Sequence, residues 1–201
     1  MFARKIQWHV YLILSLSMLA VLMLLSVKVT QAAQPTNGMT PACRRCPGGG
    51  GGGGGGQLTQ AEIEGLTYMR EEEKLARDSY WTLYDKWHLP IFANIADSEV
   101  VHMSRIKDLL DRYGLADPAA GKPVGVFTNP TLQQLYNDLM VRGSQSSMEA
   151  LRVGVAIEEV DIDDLQRYLG LTNKTDITNV YSALLNGSYH HLSAFNNQLG
   201  Q

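Results

Sequence analysis

The sequence predicts an all-α domain, a four-helix bundle in which one long crossover contains a short extra helix. From Leu58 onward, apolar residues recur at spacings of three and four, and no segment alternates with the period of two that marks a half-buried strand. Capping signals and glycines divide this part of the chain into four long helices and a short one. The longest connection joins the second and third long helices, so the chain should cross the bundle there.

The first 33 residues predict an export signal. Two basic residues precede an apolar run over residues 10–27, and small side chains follow at Ala32 and Ala33, where we expect cleavage. Because the apolar run is almost long enough to span a bilayer, an N-terminal membrane anchor is the alternative. Either interpretation places the domain outside the cytoplasm, in the periplasm or cell envelope.

Residues 34–56 predict a flexible Cys/Gly-rich linker between this leader and a domain of residues 57–201. The segment ends in nine consecutive glycines, and glycine loses more backbone freedom on ordering than any other residue. Cys43 and Cys46 also lie in it. In an exported chain a local disulfide is the simplest expectation, and a redox role is the alternative.

The predicted domain is strongly acidic. All 20 Asp and Glu lie at or after Glu62, whereas only 12 of the 17 Lys and Arg lie beyond Arg45, which gives the domain a net charge of −8. Such a surface repels nucleic acids and anionic membranes and attracts cations. We therefore expect metal ions as partners and no nucleic acid.

Two long helices open the domain. The first begins at a capping box formed by Thr59 and Glu62 and extends to about Trp87, where the sequence His-Leu-Pro interrupts it. The second covers about residues 91–113 and ends before Gly114. Because the link between them is short, the two helices should pack antiparallel.

The other helices follow the crossover, in which a short helix is predicted over residues 130–142. The third long helix begins at a second capping box, formed by Ser146 and Glu149, and ends near residue 169. The fourth covers about residues 175–199. One long connection between the second and third long helices is the arrangement of ferritin-like bundles.

Acidic and histidine side chains fall on the inward faces of the first two helices. Glu99 and His102 share a face with apolar positions of the second helix, because residues three apart point to the same side. On the first helix Glu73 lies on the stripe that buries Tyr80, whereas its two acidic neighbours point further round. A lone Glu-x-x-His pair is more often exposed, so the prediction depends on the other helices as well.

The remaining long helices add three inward candidates. Glu158 and Asp161 lie one turn apart on the buried stripe of the third helix, which leaves Asp163 and Asp164 toward solvent, and His191 faces inward on the fourth. Carboxylates gathered in a core repel one another, and burying an unpaired charge is costly. With no inward Lys or Arg at these positions, a bound cation is the simplest explanation, and oxygen-rich ligation with some imidazole suits iron or manganese.

Taken together, these residues resemble the rubrerythrin and ferritin-like di-iron carboxylate proteins, and more closely a bacterial ferritin-like family of unknown function. The blocks that carry the resemblance are EEEKLARD, Glu-x-x-His over residues 99–102, and His-Leu-x-Ala-Phe from His191. The resemblance covers residues 58–199. It implies two iron ions, or manganese, with Glu73 and Glu158 as single acids beside the Glu-x-x-His pair.

The fourth helix departs from the family pattern, which has Glu three residues before the histidine. Here Ser188 stands three residues before His191, and serine is a poor ligand for a hard divalent cation. Either Asp161 completes the site, or one metal is held tightly and the second only weakly. Tyr80 is the candidate for tuning the metals through a hydrogen bond.

Three functions remain open at this point. The resemblance implies oxygen or peroxide chemistry, namely oxidation of ferrous iron or reduction of peroxide with electrons from an external donor. The alternatives are a metal-sequestering protein of the cell envelope without turnover, and a metal-free helical interaction module. A homo-oligomer is compatible with the resemblance, and no sequence feature decides the oligomeric state.

Overall fold

The computed structural model describes residues 57–200 and has five helices and no strand over that range. The helices are α1 (Gln60–Trp87), α2 (Pro90–Tyr113), α3 (Pro130–Gly143), α4 (Ser147–Leu169) and α5 (Thr175–Leu199). The prediction of an all-α domain is confirmed. Within residues 57–200 no helix is both long enough and apolar enough to cross a membrane. The predicted leader or anchor (1–33) and the linker (34–56) with its two cysteines lie outside the described residues.

Local signals start the helices much as predicted. At α1 the capping box is complete, because the Thr59 hydroxyl accepts a hydrogen bond from the Glu62 backbone and the Glu62 carboxylate accepts one from the Thr59 backbone at 2.8 Å. At α4 only half of the predicted box forms. Ser146 caps the Glu149 backbone, but the Glu149 carboxylate pairs with Arg142 at 2.8 Å instead of reaching back to Ser146.

The first two helices run antiparallel, as their short link predicts. His88 ends α1 in the left-handed region with φ 54°, and Pro90 begins α2 two residues later. Tyr80 stacks on Phe92 near this link. Farther from the link, earlier residues of α1 contact later residues of α2. One of these contacts is the hydrogen bond at 2.9 Å from the Arg70 guanidinium to the Met103 carbonyl.

The four long helices contact one another in a closed ring, α1 with α2, α2 with α5, α5 with α4, and α4 with α1. Along α1 and α4 the contacts also run in opposite directions, since Tyr80 reaches Glu158 while Tyr68 meets Tyr168. Because α2 and α4 are both antiparallel to α1, they point the same way. The chain between them must therefore travel back along the helices, and residues 114–129 with α3 make this crossover.

Apolar side chains form two clusters inside the ring. The first apolar cluster includes Tyr80, Phe92 and Phe195, and the second includes Leu66 and Ile106. Along every long helix, the residues that separate the two clusters include buried polar ones. A polar layer therefore lies between two hydrophobic ones.

Charged side chains of α1 hold the crossover. The Arg70 guanidinium donates to the Asp117 carboxylate at 2.9 Å, and the Glu71 carboxylate accepts from the Asn129 backbone at 2.8 Å. Glu71 is turned away from the inner stripe, as predicted, but the crossover buries it. One part of the EEEKLARD block thus fixes the connection between α2 and α3.

A buried ion pair between Lys74 and Asp78 strengthens the same attachment. Both side chains are almost fully buried. The Lys74 ammonium also donates to the Pro123 carbonyl at 2.8 Å, and the Asp78 carboxylate accepts from the Gly125 backbone at 2.9 Å. The lysine charge is therefore used at the crossover and does not face the polar layer.

Candidate metal centre

Six buried side chains gather in the polar layer. They are the residues that the sequence predicts as metal ligands: Glu73 of α1, Glu99 and His102 of α2, Glu158 and Asp161 of α4, and His191 of α5. Five of them form two triads, in each of which one ligand atom per residue lies within 4.8 Å of the others. The first triad is Glu73, Glu99 and His102, and the second triad is Glu99, Glu158 and His191.

Glu99 belongs to both triads and turns one carboxylate oxygen to each. Its Oε2 lies 2.8 Å from Nδ1 of His102, and its Oε1 lies 2.9 Å from Nδ1 of His191. The two imidazole rings stack with an angle of 28° between their planes and centroids 5.4 Å apart. A carboxylate with its oxygens directed at two separate donor sets would contribute one oxygen to each if both held an ion.

The first triad depends on a glycine of the facing helix. His102 Nδ1 lies 3.2 Å from Glu73 Oε2, while the other Glu73 oxygen is buried without a hydrogen bond. The opposite edge of the ring rests on α5 at Gly187, where a Cβ atom would come within 2.6 Å of His102 Nε2. Gly187 therefore makes the space that lets His102 enter the layer.

The second triad is held from outside by two hydroxyl groups. The Tyr80 hydroxyl donates to Glu158 Oε1 at 2.5 Å, and His191 Nε2 lies 2.9 Å from the Ser98 hydroxyl oxygen. When His191 is neutral and its Nε2–H donates to Ser98, Nδ1 has a free lone pair; in the imidazolium form both nitrogens carry protons. That Nδ1 lies 3.5 Å from Glu158 Oε2 and still closer to Glu99, yet no contact has hydrogen-bond geometry.

Asp161 lies beside the triads and belongs to neither. The Ser188 hydroxyl donates to Asp161 Oδ2, and Asp161 Oδ1 is buried without a hydrogen bond. Ser188 thus orients an acid of the neighbouring helix. Asp161 therefore lies next to the five residues of the triads but is not a member of either triad.

Protons balance the charge at Glu99. Burial alone would raise the pKa of Glu99, but the imidazoles of His102 and His191 lower it to about 2. Burial would lower the pKa of His102, but Glu73 and Glu99 raise it to about 11. Burial would likewise lower the pKa of His191, which Glu158 and Glu99 raise to about 9. Two imidazolium groups therefore flank one carboxylate in the metal-free protein.

The α4 acids hold protons for a different reason. Burial raises the pKa of Glu158 from 4.5 to about 7, and burial together with the charge of Glu158 raises that of Asp161 from 3.8 to about 8. Burial also raises the pKa of Glu73, and the charge of Asp161 raises it further. These acids repel one another when ionised, so an added cation would be strongly favoured among them.

The metal-free protein should lose stability as the pH rises from about 5 to about 9. A group whose pKa is raised by folding stabilises the fold below its unfolded value and loses that effect as the pH passes its folded value, which applies to Glu158, Asp161 and His191. Glu99, with its lowered pKa, loses its contribution only near pH 2. The measurement is the melting temperature in the presence of a chelator at pH 5, 7 and 9. A melting temperature that rises across this interval would contradict the charge assignment.

Three residues of the site were not predicted from the sequence. Glu72 is buried, because α4 covers the part of α1 that the helical pattern turns away from the centre. Ser98 precedes Glu99 on α2. It becomes a partner of His191 only because α5 packs against α2 at this point. Gly187 could have been singled out from the sequence, because glycine inside a helix is unfavourable and usually marks a close contact.

Replacing Gly187 by alanine should weaken the first triad and leave the second in place. The new methyl group would push the His102 ring away from Glu73, and we expect metal affinity there to fall about tenfold. A Co²⁺ titration followed by visible absorption measures this as the loss of one tight equivalent. Ser182→Ala, at an exposed position of the same helix, is the matched control. An unchanged titration would show that His102 does not need this space.

Comparison with known proteins gives the family. Residues 62–201 match the model of a family described as an uncharacterized protein domain, DUF2202, and this range contains both triads. The chain belongs to the DUF2202 family. The sequence-based resemblance to a family of unknown function is confirmed to that extent.

Sequence comparison and structure comparison each find relatives of this DUF2202 domain. The uncharacterized protein MJ0754 of Methanocaldococcus jannaschii is 49% identical over 138 residues, which are 69% of this chain and 75% of that protein. The crystal structure of hypothetical protein MJ0754 from Methanococcus jannaschii DSM 2661 gives a TM-score of 0.72 at 45% identity and covers 75% of this chain and 86% of the other. A DUF305 fragment from Deinococcus radiodurans gives a TM-score of 0.54 at 13% identity, over 72% of this chain and 99% of the fragment, which bears on the fold alone.

Proposed function

We propose that this DUF2202 domain is a ferritin-like bundle that binds two metal ions, iron or manganese, and catalyses oxygen or peroxide chemistry of the ferroxidase type. The observation that carries the proposal is Glu99, which turns one oxygen to His102 and the other to His191. A single metal would need only one of these triads. Two triads that share a carboxylate provide for two ions side by side.

The unsatisfied atoms of the site fit a cation. Oε1 of Glu73, Oδ1 of Asp161 and Nδ1 of His191 are all buried and make no hydrogen bond. Such groups are rare in folded proteins because each forfeits its hydration without replacement. All three are lone-pair donors when deprotonated. Ions held at the two triads would give Glu73 and His191 a partner, and Asp161 lies beside them.

The donor chemistry narrows the choice of metal. The triads offer carboxylate oxygen and imidazole nitrogen, with no thiolate among the described ligand groups. Oxygen-rich sites with a little imidazole suit iron and manganese better than metals that prefer sulfur. When bound here, such metals supply electrons to oxygen or peroxide.

The surrounding residues have separate tasks in this proposal. Glu73 and His102 would hold one ion, Glu158 and His191 the other, and Glu99 both. The Tyr80 hydroxyl fixes the orientation of Glu158 through its hydrogen bond, and burial together with the Glu158 charge raises the pKa of Tyr80, so it stays a proton donor. The apolar clusters on either side exclude water from the layer.

The topology supports the ferritin-like assignment. The ring of four long helices, with α2 and α4 pointing the same way, requires one long crossover, and ferritin-like folds have this connection. The inward acids and histidines come from all four long helices, as in di-iron carboxylate bundles. Turnover would need electrons from an external donor. The N-terminal segment supports the further proposal that this chemistry occurs in the cell envelope.

A second candidate is metal sequestration without turnover. The observation that favours it is Ser188, which donates to Asp161 at the position where the di-iron carboxylate pattern that this chain resembles has a glutamate ligand. With one carboxylate fewer in the triads, the second ion would be held less tightly. A labile second ion suits storage or transfer better than a reaction that needs both ions.

The test is metal content followed by reactivity. The protein is loaded anaerobically with Fe²⁺, passed through a desalting column and analysed for iron, and the loaded protein is then mixed with oxygen or peroxide in an electrode cell. We expect about two iron ions per chain, as for di-iron bundles, and consumption of the oxidant. Bound iron without consumption would favour sequestration, and the absence of bound iron or manganese would overturn both candidates.

A further inference from the structure

We propose that divalent cations enter the metal centre between α1 and α4, along an acidic path formed by Asp164, Glu72 and Asp161. The inference rests on the proposed function, because it concerns delivery of ions to the two triads. None of the three residues belongs to a triad. The path therefore adds a transient binding site for a hydrated cation outside the centre itself.

Glu72 is the central observation. Its side chain is only 3% exposed, and neither carboxylate oxygen makes a hydrogen bond. A buried carboxyl group with no partner at either oxygen is a strongly unfavourable arrangement. The arrangement is explained if the group has a partner that passes through the site.

Burial raises the pKa of Glu72, and the charges that raise it further are all negative. Those that act on it most strongly are Asp161, Asp164 and Glu73, and no Lys or Arg is among them. Lys74, two positions along the same helix, forms its ion pair with Asp78 at the crossover. Glu72 thus faces a field that attracts cations, and none of the side chains that act on it most strongly is a cation.

The path has an outer and an inner end. At the outer end Asp164 is half-buried and keeps 18% of its side chain exposed, and the more exposed Arg167 donates to it at 2.6 Å. At the inner end, Asp161 Oδ1 and Glu73 Oε1 are buried without hydrogen bonds, and Glu73 is already part of the first triad. Unpartnered oxygens therefore continue from Glu72 to the metal centre.

Arg167 has the position of a counterion at the entrance. It pairs with Asp164 through its guanidinium and lies over the Tyr168 ring at 4.1 Å. Its exposed position lets an arriving cation replace it at Asp164 without burying a charge. Acids aligned in this way raise the local concentration of cations and speed their arrival.

The competing explanation is a proton shared between Glu72 and Asp164, which lie close enough to interact in this way. A shared proton would make Glu72 a structural residue with no influence on metal binding. Both explanations allow the Glu72 side chain to be replaced by its neutral isostere. They differ in the rate of loading, which the structural explanation leaves unchanged.

The experiment measures Co²⁺ loading of the whole chain by stopped-flow absorption, with Co²⁺ content at equilibrium as a second readout. Glu72→Gln should slow loading by about tenfold or more, as expected for the loss of electrostatic steering, while the final content stays as in the wild type. Asp163→Asn is the matched control, since it removes the same charge from an exposed position of α4 beside the path. Its rate should stay within about twofold of the wild type.

A wild-type rate in Glu72→Gln would overturn the path and leave the metal centre intact. Failure of the wild type to bind Co²⁺ would instead remove the proposed function. Asp164→Asn, at the half-buried entrance, provides the second test should Glu72→Gln fold poorly: it should slow loading in the same direction, and an unchanged rate there would overturn the path. Raising the salt concentration should slow the wild type more than either variant.

Discussion

Glu99→Ala should remove both metal sites in one substitution. Each triad loses a ligand, because the two oxygens of Glu99 serve His102 and His191 separately. We expect the affinity of each site to fall by about a hundredfold or more, beyond the range seen when only a supporting residue is lost. Elemental analysis after anaerobic Fe²⁺ loading and desalting measures the loss of both ions.

Two comparison variants make this result specific. Asp97→Ala removes an exposed acid two residues earlier on α2 and should bind metal like the wild type. Glu73→Ala touches the first triad alone and should keep the ion of the second. Equal metal content in Glu99→Ala and in the wild type would contradict the shared-carboxylate centre, and loss of one ion alone would show that Glu99 does not bridge.

The same residue explains why the metal-free fold can persist. Burial would raise the pKa of Glu99, but the imidazolium groups of His102 and His191 hold it at about 2, so the carboxylate has partners without a metal. Metal ions must displace these protons to bind. Loading should therefore become stronger as the pH rises, over the same interval in which the metal-free protein loses stability.

The fold was largely predictable because its signals are local. The capping box at Thr59, the stop at Gly114 and the spacing of apolar residues depend on neighbours within a turn or two, and all are present in the structure. The capping box at Ser146 was half wrong because Glu149 found Arg142, seven residues away on the preceding helix. Ion pairs of Glu149 with Arg142 and with Arg152 take the place of the capping hydrogen bond, and helical periodicity does not reveal the pair with Arg142.

The inward, clustered positions of these acids and histidines were predictable from the helix faces, but the contacts of the residues around them were not. Helix geometry places Glu99 and His102 on one face whatever the packing. It does not show which other helix covers the flank that carries Glu72, nor that Asp164 would be half-buried by that contact. Those features depend on how α1 and α4 are rotated against each other, and a single sequence does not specify this.

The EEEKLARD block illustrates how one helix serves two purposes. Glu73 points to the first triad, whereas Lys74 and Asp78 face the crossover, because successive residues differ by 100° around the helix. The Lys74–Asp78 pair is buried and is hydrogen-bonded to the backbone of Pro123 and Gly125. Stability and metal binding should therefore be separable by mutation on this one helix.

Asp78→Ala should destabilise the fold by about 3–5 kcal/mol, as expected when one partner of a buried ion pair is removed. It leaves the Lys74 ammonium buried without its counterion and deprives the Gly125 backbone of its acceptor. For a domain of this size we expect the melting temperature to fall by roughly 10 °C or more. Thermal and urea denaturation of the metal-free protein measure both quantities, and Asp85→Ala, an exposed acid of α1, should change neither.

A double variant distinguishes an uncompensated charge from a general loss of packing. Lys74→Met combined with Asp78→Ala removes both charges of the buried pair, and apolar replacement of a whole buried pair is often close to neutral. Arg77, whose guanidinium also pairs with Asp78, loses that partner in the single and the double variant alike. The double variant should therefore be more stable than Asp78→Ala alone, although the Gly125 backbone still lacks its acceptor. At a temperature where both variants are folded, each should bind as much iron as the wild type. A double variant that is less stable than the single one would mean that Lys74 supports the fold mainly through its bond to Pro123 and its contact with the Phe127 ring.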